Sequence, residues 1–326
     1  MSTTTSGTLI EPATIEDAAH ALRGVANRTP LLRADWLTEA IGAETRLKCE
    51  NLQRAGAFKI RGAYTMVSRL PEEARRRGVI TYSSGNHAQA VALAARTFGV
   101  PAVVVMPTTA PAVKVDGARR LGAEIVLEGT TSIERQRRAE EIAAERGLTI
   151  VPPFDHPDII AGQGTAGREI LEEWPEVEAV LVPVGGGGLL AGIAAWVKRK
   201  NPDCRVIGVE PTGADAMRRS LEASEPTTIE VRRSIADGLL PVRPGTLTFL
   251  HARELVDEVV TVEDDAVADA ARRLATSSKV VVEFSGAATV AALLSGAWDA
   301  AGRRTAAVLS GGNIDPDRLA RLLSEA

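Results

Sequence analysis

Apolar residues along this chain follow two rhythms. Short β-branched runs without polar alternation (GVITYSS, AVVVMP, EIVLEG, AVLVPV, RVIGVEP and TAAVLSGG) recur between stretches of helical period at residues 88–98, 132–146 and 189–200. A strand that stays apolar on both sides is covered on both faces, so the pattern predicts an α/β protein with mostly parallel sheets. The uncharged run AVLVPVGGGGLLAGIAAWV at residues 179–197 approaches the length of a membrane span. Pro183 and four consecutive glycines break any continuous helix there, so it reads as buried strand, glycine turn and helix. The Pro-rich stretch PPFDHP at residues 152–157 is the clearest punctuation and is expected to mark a crossing between domains.

Composition narrows the function classes. A chain of 326 residues, 45% hydrophobic and 25% charged, buries a large core and suits two domains better than one. A formal net charge of -4 provides no global basic field, so neither nucleic acid nor a membrane surface is an expected partner. The two cysteines, Cys49 and Cys204, have neither disulfide-framework nor zinc-site spacing. A reducing cytoplasm is expected. The stretch MSTTTSGTLI lacks the basic start and long apolar run of a secretory leader and reads as a frayed tail.

In open parallel sheets, ligands bind beyond the carboxyl ends of strands, so the loops there are the place to look for chemistry. After AVLVPV come Gly185, Gly186, Gly187 and Gly188 at the start of a helix opening at Leu189. A bare turn needs one or two glycines; four allow several N–H groups to converge at a helix N-terminus, which makes a compact phosphate cradle. The loop Ser83, Ser84, Gly85, Asn86 and His87 precedes another helical stretch, and is either ordinary capping or a site sized for a carboxylate. Ser310, Gly311, Gly312 and Asn313 form a third such loop with a hydroxyl at its mouth. Gly162, Gln163, Gly164 and Thr165 read as a fourth, at the head of a helix ending near Trp174. Taken alone, Lys59 in GAFKIRGA is a surface cation in a patch with Arg54 and Arg61. Beside those loops, a lysine next to an aromatic is what a pyridoxal phosphate enzyme needs to hold the cofactor's aldehyde.

The motifs ENLQRAGAFKIRGA, YSSGNHAQAVALAA, IAGQGTAGREI, VPVGGGGLLAG, IADGL, VVVEFSGAA and LSGGNID resemble, in order over residues 11–315, the threonine/serine dehydratase and serine racemase family. These are pyridoxal phosphate enzymes of the tryptophan synthase β-like fold type. The resemblance implies two open, mostly parallel twisted-sheet domains with the active site between them: a large domain of residues 1–52 and 153–326, and a small one of residues 53–152 with its core at about 77–152. It makes Lys59 the Schiff-base lysine, Phe58 the residue against the cofactor ring and Asn86 the partner of its 3-hydroxyl. The phosphate falls to Gly185, Gly186, Gly187, Gly188 and Leu189, and the pyridine nitrogen to Ser310. A serine there leaves the ring near neutral, a weak electron sink suited to elimination. The substrate carboxylate falls to Ser83, Asn86 and neighbouring N–H groups, with Ser84 and His87 also among the substrate-binding residues, His87 as a structural donor rather than a catalyst.

The implied reaction converts L-threonine or L-serine into a 2-oxo acid and ammonia, with serine racemisation or dehydration of another 3-hydroxy amino acid as alternatives. Ser84 stands where a racemase has its opposite-face base. Phe154 offers an apolar wall for threonine's methyl, or serves interdomain packing. Relatives that bind Mg²⁺ or Ca²⁺ use a glutamate, a carbonyl and a second carboxylate, which here become Glu210, Ala214 and Ala216. The last position weakens the site. The chain runs only briefly past LSGGNID, which reads as a catabolic-type dehydratase without a regulatory domain, and a homo-oligomer, dimer or tetramer, is expected.

Overall fold

The computed structural model describes residues 8–83, 85–110, 112–230 and 234–324. Two sheets organise them. The larger has the spatial order β1 (Leu31–Arg33), β2 (Thr45–Lys48), β10 (Thr305–Val308), β7 (Ala179–Pro183), β8 (Arg205–Pro211) and β9 (Glu258–Val262). The smaller runs β5 (Glu124–Leu127), β4 (Ala102–Met106), β3 (Val79–Tyr82) and β6 (Thr149–Ile150). Every pairing is parallel except β1 with β2. All six apolar runs read from the sequence form strands, and residues 132–146 form a helix as predicted.

Side chains alternate across a strand, and the central strands of each sheet are buried on both faces. In β7 and β8, Leu181, Ile207 and Val209 pack with the helix Phe284–Leu294 on one face, while Val180, Val182 and Val206 pack with the helix Gly188–Lys200 on the other. In the smaller sheet Val79, Val104 and Met106 meet the helices Lys59–Arg69 and Asn86–Phe98; Ile80, Val103 and Val105 meet Ser132–Arg146. The uncharged stretch at 179–197 resolves into β7, a turn and the Gly188 helix. Among the described residues no helix is long and apolar enough to cross a membrane.

One element departs from the reading above. Gly162, Gln163, Gly164 and Thr165 lie inside the helix Pro157–Glu173, which starts with proline in its first turn and a His156 side-chain cap accepting from the Asp158 N–H, so they are no strand-end loop. Their glycines bring helices together. A Cβ on Gly162 would overlap the Arg61 carbonyl and lie 2.6 Å from the Gly62 Cα, and one on Gly62 would sit 2.8 Å from the Ile159 carbonyl. On the opposite flank, a Cβ on Gly164 would lie 2.8 Å from the Gly192 carbonyl. The helix bearing Lys59 is therefore seated backbone against backbone on the Pro157–Glu173 helix.

That seating makes Gly162→Ala a test of sign. Helix propensity alone would stabilise the substitution by about 0.5–1 kcal/mol, whereas forcing a methyl into a backbone contact costs about 1–3 kcal/mol. Clash should win, lowering the denaturant midpoint without changing the slope. A raised midpoint would show that the helices separate freely.

Candidate active site

Lys59 is the first residue of its helix, and the segment before it is pinned to the end of β10. The Phe58 N–H donates to the Ser310 carbonyl at 3.1 Å, and Ala57 bridges Gly311. The Lys59 Nζ donates to the Pro153 carbonyl at 2.8 Å and lies 5.0 Å from the Phe58 ring centre. Burial pulls the ammonium pKa down to about 8, against an opposing pull from the Glu283 carboxylate.

Pro153 leads directly to the glycine loop. Phe154 lies flat on it: a Cβ on Gly186 would overlap the phenyl ring, and one on Gly188 would come within 3.0 Å of the Phe154 Cβ. A Cβ on Gly187, at φ 93°, would meet the Met217 Cε at 2.7 Å, and one on Gly185 the Gly238 carbonyl at 3.1 Å. Gly186 and Gly187 leave no room for a side chain, and Gly185 and Gly188 are tightly walled. Among the described residues, no protein acceptor takes the N–H of Gly185, Gly186 or Gly187, and Leu189 is buried in the first turn of the helix behind them. Free amides at a helix N-terminus, in a loop without side chains, fit a phosphate.

On the other side of Lys59, the smaller sheet contributes the loop after β3. Ser83 anchors it, its N–H donating to the Val105 carbonyl and its hydroxyl accepting from Gly85. Ser84 lies outside the described residues. Asn86 donates through Nδ2 to the Glu283 Oε1 at 2.6 Å and accepts at Oδ1 from the Asn313 Nδ2 at 2.8 Å. His87 is buried with its Nε2 at 3.0 Å from the Val151 carbonyl, which can only accept, so the proton sits on Nε2 and Nδ1 is bare. Burial first, then the Lys59 charge, pushes its pKa down to about 3. It is a neutral ring at working pH. Ser310 is buried at the end of β10, and a Cβ on the adjacent Gly311 would overlap the Glu283 Oε1.

Contacts thus run from Lys59 through Pro153 and Phe154 to the glycine loop and from Phe58 to Ser310, while Ser83, Asn86 and His87 come from the loop after β3 and the helix that follows it. Glu210 and Ala214 make none of these contacts. Both oxygens of Glu210 accept helix N–H groups, from Met217 at 2.8 Å and Arg218 at 2.9 Å, and Asp215 is taken by Arg218 and Arg219. Among the described residues no group of three or more His, Cys, Asp or Glu side chains is arranged for a metal. With a methyl at Ala216 and Glu210 spent as a cap, these residues do not fit Mg²⁺ or Ca²⁺. Arg61 is likewise no surface cation but is fully buried. Glu283 was not singled out from the sequence, although a lone carboxylate inside VVVEFSGAATV was the available signal. Burial, then the charge of Asp237, lifts its pKa to about 7, while Asn86, Lys114 and Lys59 pull against that rise.

The chain has relatives among known proteins. The family model described as pyridoxal-phosphate dependent enzyme matches residues 22–311. An L-threonine ammonia-lyase of Thermotoga maritima is 45% identical over 95% of this chain and 77% of its own length. The L-threo-3-hydroxyaspartate ammonia-lyase of Saccharomyces cerevisiae is 42% identical over 94% of each chain. The structure of maize serine racemase superposes with a TM-score of 0.93 at 36% identity, covering 98% of both chains.

The lowered pKa has a direct consequence at Lys59. The free amine, the form that attacks an aldehyde, predominates above about pH 8 rather than above the ordinary 10.5. Capture of pyridoxal phosphate by cofactor-free protein, followed by visible absorbance, should accelerate as pH rises through about 8 and then level, and Lys59→Ala should show no such band. A rate still climbing toward pH 10 would contradict the buried-amine geometry.

Proposed function

Because the chain belongs to the pyridoxal-phosphate dependent enzyme family, we propose that it is an ammonia-lyase that removes the β-hydroxyl of L-threonine and L-serine, giving a 2-oxo acid and ammonia. The observation that carries this reading is the buried Lys59 amine, bonded to the Pro153 carbonyl one residue before the Phe154 that packs on a side-chain-free loop whose amides, among the described residues, have no protein acceptor. When bound, pyridoxal phosphate supplies an electron sink for the substrate's α-carbon. In this reading Lys59 first holds the cofactor; then, displaced by the substrate amine, it takes the α-proton as a free base, a role its depressed pKa supports. The amides of Gly185, Gly186, Gly187, Gly188 and Leu189 would hold the phosphate and Phe58 would pack against the ring. Asn86 would meet the 3-hydroxyl and Ser310 the pyridine nitrogen. A hydroxyl there, in place of a carboxylate, keeps the sink weak and favours loss of a β-substituent over other fates.

Ser83, Asn86 and neighbouring N–H groups are assigned to the substrate carboxylate with Ser84 beside them, His87 supports the loop through its bond to the Val151 carbonyl, and Phe154 is assigned to the β-methyl of threonine. One methyl supports only modest selectivity, about 1–3 kcal/mol, so serine should also turn over. The assignment of residues 53–152 to a small domain and of 1–52 with 153–326 to a large one is supported by the division of strands between the two sheets. A cytoplasmic homo-oligomer completes the proposal; Cys49 and Cys204, both buried and free, fit a reducing compartment.

Product analysis tests it. Cofactor-loaded protein given L-threonine or L-serine should release ammonia with 2-oxobutanoate or pyruvate, and form D-serine only as a minor product. Lys59→Ala should lose at least about 10²–10⁴-fold in turnover. D-serine as the main product would make the protein an isomerase, and turnover of L-threo-3-hydroxyaspartate alone would move the substrate class.

A further inference from the structure

The orientation of the Asn86 amide is settled by a chain of hydrogen bonds that begins in the turn before Lys59. Ala55, at φ 60°, and Gly56, at φ 73°, form a left-handed turn, and the Ala55 carbonyl accepts from the Asn313 Nδ2 at 2.8 Å. The Asn313 amide is wedged against Gly56, where a Cβ would overlap its oxygen. A carbonyl only accepts, so the Asn313 nitrogen must face it, and the second hydrogen of that nitrogen goes to Asn86 at 2.8 Å. What Asn86 shows to Asn313 must then be Oδ1. Its Nδ2 is left facing the Glu283 Oε1 at 2.6 Å, where a carboxylate oxygen is the complementary acceptor. The bond chemistry allows one orientation, with one N–H and one Oδ1 lone pair of Asn86 taken by no partner among the described residues.

We infer that Ala55, Asn313 and Glu283 form a polarity relay that fixes how Asn86 presents its amide, with Glu283 as the positioning residue at its end. The inference rests on the proposed reading that Asn86 meets the cofactor's 3-hydroxyl. The relay joins two segments: Ala55 and Asn86 lie in the one carrying the smaller sheet, Asn313 and Glu283 in the one closing the larger. It also joins the turn that orients Lys59 to the group opposite it. Glu283 reaches Asn86 through a hydrogen bond and Lys59 only through its charge, and Glu283→Gln removes the second while keeping an acceptor for the first.

The test compares the visible absorbance of cofactor-loaded wild type, Glu283→Leu, Glu283→Gln and Asn313→Leu, because the ratio of the cofactor's visible bands reports what its 3-hydroxyl is bonded to. Glu283→Leu should change that ratio and lower kcat about tenfold, the worth of one charge-assisted hydrogen bond, with KM nearly unchanged. Glu283→Gln keeps an acceptor oxygen at the same reach and should restore the wild-type ratio. Asn313→Leu frees Asn86 from the other side and should reproduce the Leu spectrum, which keeps the question answerable if Glu283→Leu does not fold. Wild-type band ratios in both leucine variants would overturn the relay, as would a Gln variant as altered as the Leu one, since charge rather than orientation would then be at work. A wild-type protein with no visible band at all would overturn the cofactor reading as well, and so is distinguishable from failure of the relay alone.

Discussion

A guanidinium sealed inside the protein organises the site. Arg61, two residues past Lys59, donates to Glu50 through Nε and Nη2 at 2.7 and 2.8 Å, to Glu169 through Nη1 and Nη2 at 2.7 and 2.8 Å, and to the Thr165 hydroxyl at 3.0 Å. Lys48 completes the cluster, donating to Glu169 at 2.6 Å and to the Thr29 carbonyl at 2.7 Å. Two cations meet two carboxylates. Burial alone would lower the arginine's pKa, and Glu50 and Glu169 reverse that, so it stays charged. Such a cluster adds little net stability over an apolar packing, but it tolerates one geometry only, because any shift leaves a charge unpaired at a cost of about 3–5 kcal/mol. It ties the end of β2 and the helix of residues 157–173 to the helix that starts with Lys59.

That tie explains why the glycines matter where they do. Gly62 follows Arg61 and Gly162 precedes Thr165 by three residues, so the same interface holds both the ion cluster and the backbone contact. The lysine is then fixed from three directions: by the cluster behind it, by Phe58 on Ser310, and by Pro153 at its own nitrogen. Around it, the carboxyl ends of β3, β7 and β10 deliver Ser83, the glycine loop and Ser310, as expected of open parallel sheets. Strand ends supply the recognition groups, and one rigid helix supplies the reactive one.

Six strands were legible because a run apolar on both faces admits few other readings; β1, β2, β6 and β9 went unread, β1 and β6 because three and two residues carry too little pattern, β2 and β9 because polar residues interrupt TRLK and EVVTV. The glycine loop was legible because four glycines exceed what a turn needs. Gly162 to Thr165 misled because glycines suggest a loop, although the proline and histidine of PPFDHP marked the true helix start. Arg61 and Glu283 show the deeper limit. Charge in a sequence says nothing of burial when the partners lie 108 residues away, as Glu169 does from Arg61, or 197, as Asn86 does from Glu283. Glu210 shows the converse: a carboxylate at the position of a metal ligand is spent as a helix cap once the second carboxylate is an alanine.

Chemical trapping tests the central claim most directly. Cofactor-loaded protein would be reduced with borohydride, which makes the bond between pyridoxal phosphate and its lysine permanent, then digested and mapped by mass spectrometry. The phosphopyridoxyl mass should fall on Lys59 alone, in near-stoichiometric amount. A label on Lys48, Lys114 or Lys279 with Lys59 unmodified would contradict the role given to Lys59 and to the buried arginine that holds its helix.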